Sequence, residues 1–177
     1  MALPILVYTE TGSALLTSMV VALESAPYLV FGLLAGALAD RMPRRSSMVA
    51  ADVISAVVLG TVPAAWLAGA LTMAHVLLAA TLVGTTFVWF DSASWGALPR
   101  LVGKQRLPEA NGIVWSSAIV VSIAVPGITG LVVSVTDPVL ILAVDAGSYL
   151  ISAGVILTPL AASEAPLATA VTSAGAE

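Results

Sequence analysis

All six basic residues of this 177-residue chain lie in two short clusters, and the stretches around them are apolar. Arg41, Arg44 and Arg45 form the first cluster; Arg100, Lys104 and Arg106 form the second. Residues 47–70 and 72–94 separate them. Each run is long enough to cross a bilayer as a helix, which takes about 20 apolar residues. One trip out and one trip back puts both clusters on the same face. Short Lys/Arg-rich loops stay inside the cell. The loops at 39–46 and 96–109 are therefore expected to be cytoplasmic, in a multi-pass protein of the cell inner membrane.

The composition leaves little room for another class. Mean hydropathy is +1.07, with 59% hydrophobic and 9% charged residues. In soluble domains about a quarter of residues are charged. The lipid bilayer is the expected partner. No basic stripe or aromatic platform suggests nucleic acid. Cysteine is absent, which excludes disulfides, thiol nucleophiles and Cys-based metal sites. His75 is the lone histidine and has no visible second ligand, so no metal site is expected. No nucleophile–base–acid set is visible, and no Lys-Ser/Thr follows Gly36 where a phosphate-binding loop would need it. The reading is a protein that is not an enzyme and takes no cofactor. The N-terminus lacks the positive region and cleavage site of a signal peptide.

Along the chain, residues 1–8 read as the last turns of a helix whose beginning is missing. Full spans are expected at 14–38, 47–70, 72–94, 110–134 and 138–161. Pro138 is well placed to open the last of them. Runs of this length, without polar/apolar alternation, exclude the roughly 10-residue strands of an outer-membrane barrel. The expected fold is an all-α membrane bundle over 1–162, with five full transmembrane helices and a partial first one. Residues 163–177 are rich in Ala, Ser and Thr and are expected to form a disordered tail. Gly32 with Gly36, and Ala143 with Gly147, stand four apart, so each pair shares a helix face suited to close helix contact. Tyr8 and Trp66 fall near outer helix ends, Trp95 and Trp115 near inner ends, as interfacial aromatics do.

Gly36, Asp40, Arg41, Arg44 and Arg45 stand at the spacing of the loop signature of the major facilitator superfamily. That signature joins the second and third helices of each half. Pro43 occupies the place where the family usually has Gly. Phe90, Asp91, Leu98, Pro99 and Arg100, followed by Asn111 and Gly112, resemble the inner end of helix four and the next loop in its macrolide-efflux and enterobactin-exporter branch. Pro126 and Gly130 match a degraded form of the helix-five motif of drug antiporters. The resemblance covers about residues 1–160 and implies the N-terminal half of such a transporter, with a truncated first helix. A full member has two six-helix halves with the substrate site between them near the midplane.

The resemblance implies that Asp40 and the arginines form a conformational latch at the contact between halves. The plainer alternative is that the arginines only hold the loop inside. Asp91 lies about one turn from the inner end of its helix, where it pairs with Arg41 or Arg44 or simply reaches water; Asp52 carries the same ambiguity. Glu24 sits mid-span, where a charge costs roughly 2.5–3.5 kcal/mol on insertion scales. A protonated Glu costs less, which makes Glu24 a candidate for proton coupling or for binding a cationic substrate. Asp145 is a second candidate, nearer the outer end. The alternative for both is a structural, hydrogen-bonded acid. Pro126 with Gly130 would kink helix five, for packing or for gating.

These readings converge on part of a secondary active transporter. Its expected work is proton-coupled export of small amphipathic compounds (drugs or siderophores) by alternating access. A second six-helix half on another chain is an expected partner. The alternative is a non-transporting membrane remnant or an interaction module.

Overall fold

Local signals at each turn set the helix ends. The computed structural model describes residues 2–39, 42–133 and 135–158. Helix α1 (Ala2–Thr11) stops where Gly12 takes a left-handed φ of +63° and its N–H bonds the Tyr8 carbonyl at 2.8 Å. Ser13 then caps α2 (Ala14–Ala39), its hydroxyl accepting from the Leu16 N–H at 3.3 Å. Helix α3 (Arg44–Leu67) ends in a tight turn at Gly69, φ +67°. Thr72 caps α4 (Met73–Val102) by accepting from the His75 N–H at 3.3 Å. A 3₁₀ turn (Lys104–Arg106) leads into α5 (Leu107–Val133), and Pro138 opens α6 (Pro138–Leu157) as expected. Pro27, Pro63, Pro99 and Pro126 lie inside helices. Each removes one backbone donor, a loss that membrane helices tolerate.

Among the described residues, five helices are long and apolar enough to cross a membrane. Among the described residues the fold is all-helical, as the sequence implies. The span limits differ from expectation mainly at the inner ends. Helix α3 begins at Arg44 rather than 47, and α4 runs to Val102. The second basic loop therefore consists of the end of α4, the 3₁₀ turn and the first turn of α5. The expected tail, 163–177, lies outside the described residues.

Helix α2 packs along α4, and α3 packs along both α4 and α6; α1 lies against α2 and α6. The core cluster joins Leu6 and Val7 of α1, Val20 of α2, Leu59 and Val62 of α3, Val76 and Ala80 of α4, and Leu142 of α6. It gathers towards the outer ends of these helices. Helix α5 touches α4 and the 3₁₀ turn, and none of its described residues is buried. In lipid that exposure carries no hydrophobic penalty, because acyl chains are as apolar as the side chains they surround. At the inner end, Trp95 and Trp115 bring α4 and α5 together, with ring centroids 6.2 Å apart.

The close helix approaches among the described glycines do not involve Gly32 or Gly147. Gly32 and Gly147 have open space around them. Two other glycines make the contacts. A Cβ on Gly84 would collide with the backbone carbonyl of Glu24, and one on Gly96 would lie 2.5 Å from the Arg44 guanidinium carbon. Periodicity shows which residues share a face but not which face meets a neighbour.

Candidate functional site

The inner loop motif divides between two helices. Gly36 belongs to the last turns of α2; Asp40 and Arg41 lie outside the described residues. Arg44 and Arg45 form the first turn of α3. The half-buried Arg44 guanidinium lies over Gly96 of α4, which has no side chain to obstruct it. Arg45 reaches the far side of the bundle. Its Nε donates to the Ile156 carbonyl at 2.9 Å and its Nη2 to the Thr158 carbonyl at 3.3 Å. These carbonyls belong to the C-terminal end of α6, where a cation also meets the negative end of the helix dipole. Arg45 thus fastens α3 to α6 within this one bundle.

Asp91 lies on α4 and accepts the Tyr28 hydroxyl proton from α2 at 2.9 Å. The Tyr28 ring also packs on Phe87, centroids 6.0 Å apart. Pairing of Asp91 with Arg41 falls outside the described residues.

The two acids inside the spans are both partly buried. Glu24 on α2 is partly buried, and the Asp145 carboxylate on α6 acts on it electrostatically. Tyr149, one turn beyond Asp145, feels the charges of Asp145, Asp52 and Glu24 together. These three acids come from three helices, α6, α3 and α2. Such a group can hold and pass protons, or hold a cationic ligand. Asp145 and Tyr149 stand four apart, on one helix face, a signal that sequence inspection passed over.

Pro126 and Gly130 lie inside an unbroken α5, and no other part of the bundle crowds Gly127 or Gly130. His75 sits at the outer start of α4, its Nε2 hydrogen-bonded with the Thr61 hydroxyl at 2.8 Å. Asn111 lies in the second turn of α5.

The model of the major facilitator superfamily matches residues 1–176. The chain belongs to this superfamily. It is similar to macrolide efflux protein A of Streptococcus pyogenes, 32% identical over 138 residues, covering 77% of this chain and 34% of that protein. It is also similar to the multidrug efflux pump Tap of Mycolicibacterium fortuitum, 32% identical over 154 residues, covering 84% of this chain and 37% of that protein. The chain thus spans about a third of the length of these curated relatives. No solved structure matches it. Superfamily membership and the five apolar helices make it a multi-pass protein of the cell membrane.

Proposed function

We propose that this chain supplies the N-terminal half of a secondary active exporter of small amphipathic compounds, working by alternating access and driven by the proton gradient. One observation carries the reading: the chain keeps two partly buried acids inside its apolar spans, Glu24 on α2 and Asp145 on α6. Ionisable groups inside a bilayer are expensive to keep and mark ion or substrate paths. The similarity to two efflux proteins supports export as the direction. The two acids are proposed to exchange a proton against a cationic amphipathic substrate. The Asp40–Arg41–Arg44–Arg45 segment and Asp91 are proposed to form the inner latch against a second six-helix half, and Pro126 with Gly130 the flexible point of α5.

The test is accumulation of a fluorescent amphipathic cation in cells expressing both halves. Glu24→Gln and Asp145→Asn are each expected to cut gradient-driven efflux by roughly 10²-fold or more, as removal of a positioned proton carrier does. Efflux unchanged in both variants would overturn the assignment. The exposure of α5 favours a second reading, an interaction module whose partner helix covers α5. In that case the chain associates with a membrane partner while showing no efflux in any pairing.

A further inference from the structure

Between α3, α4 and α6 lies a cavity of about 200 Å³ lined by Asp52, Ser55, Thr86, Ser148, Tyr149 and Ser152, with two Phe rings and an Ala. Asp52 is only 3% exposed, yet its Oδ2 has no hydrogen-bond partner. Buried carboxylate oxygens are rarely left so, and an orphan asks for an absent water or ion. Ser152 approaches the same carboxyl from α6.

Three of the hydroxyl protons around the cavity are already spent. Thr86 donates its proton to the Val83 carbonyl at 2.9 Å. The 2.6 Å contact between Ser55 and Thr86 must therefore use the Ser55 proton. Ser148 donates to the Asp145 carbonyl at 2.7 Å. What these three hydroxyls turn to the cavity is lone pairs, and Asp52 adds a carboxylate. Apart from the Tyr149 phenol the cavity presents acceptors, a set that suits a hard cation with oxygen ligands.

Charge decides which cation. Among the described residues no group of three His, Cys, Asp or Glu could hold a metal. A single carboxylate balances one positive charge; a divalent ion would leave an excess charge inside the membrane. The volume is about that of several waters, enough for a partly hydrated ion. Ser148 is exposed and Ser152 half-buried, so the cavity has a mouth on the α6 side.

We propose that this cavity binds one alkali cation of the sodium class, held by the Asp52 carboxylate and the hydroxyl oxygens of Ser55, Thr86, Ser148 and Ser152. Occupancy ties together the three helices that meet there. The site adjoins Asp145 through Ser148 and Tyr149, but it does not rest on the exporter reading.

The test uses the full chain purified in sodium-free detergent, with choline chloride holding ionic strength constant. Radioactive sodium should bind saturably, and unlabelled sodium should displace it far better than potassium or magnesium. Saturating sodium should raise the unfolding temperature by roughly 2–4 °C over choline. Asp52→Asn should abolish both effects, and Ser152→Ala should weaken binding about tenfold. If Asp52→Asn does not fold, the unsubstituted chain decides: no saturable sodium binding overturns the proposal. Equal stabilisation of Asp52→Asn by sodium also overturns it. So does stability that follows pH but ignores sodium, because Asp52 then holds a proton.

Discussion

Single glycines fix the bundle at two points, Gly84 against the Glu24 backbone and Gly96 beneath the Arg44 guanidinium. At Gly84 the obstacle is the Glu24 backbone, which cannot swing aside as a side-chain tip can. Gly84→Ala is therefore expected to destabilise the chain by about 1–3 kcal/mol, whereas Gly32→Ala, facing open space, should leave it unchanged. Thermal unfolding in detergent checks both; equal effects would remove the close approach from the account. The buried Ser55–Thr86 bond at 2.6 Å ties α3 to α4. A double-mutant cycle of Ser55→Ala with Thr86→Val should return a coupling of about 0.6 kcal/mol, the usual size for membrane hydrogen bonds. At this scale the sequence was half-legible. A mid-span acid announces itself, so Glu24 and Asp145 stood out. Their neighbour Tyr149, the orphaned oxygen of Asp52 and the contact glycines did not, because each depends on which helix lies opposite.

Among whole elements, α6 is held at its inner end from outside. Its last carbonyls, which no later turn can satisfy, accept from Arg45 instead. Arg45→Ala should speed amide hydrogen exchange in the final turn of α6 and in little else. Arg45→Lys should restore only part of the protection, since an ammonium cannot span two carbonyls as a guanidinium fork does. Unaltered exchange in Arg45→Ala would mean that the residue serves only beyond this bundle. Helix existence and type were plain from apolar run length, and Pro138 marked a true start. The inner ends were not plain. Basic residues look like loop, yet Arg44 and Arg45 begin α3 because their long side chains lie across neighbouring helices.

Over the whole molecule, the threading follows from two basic clusters, and the absence of native cysteine makes it easy to probe. Single cysteines at Ser46 and Gln105 should resist an impermeant thiol reagent added to intact cells, while those at Ala70 and Asp137 should react. Labelling of Ser46→Cys but not Gln105→Cys would break the threading. The family could be recognised from the inner-loop spacing because charge and glycine placement there are local. The order in which helices pack was hidden, since in lipid nearly every face is apolar and small shape differences choose the neighbour. The backbone approach of α2 to α4 at Gly84 has a mechanical corollary. With no side chain between them at that point, the two helices have less slack there to absorb sliding than where Tyr28 meets Asp91 and Phe87 through rotatable groups.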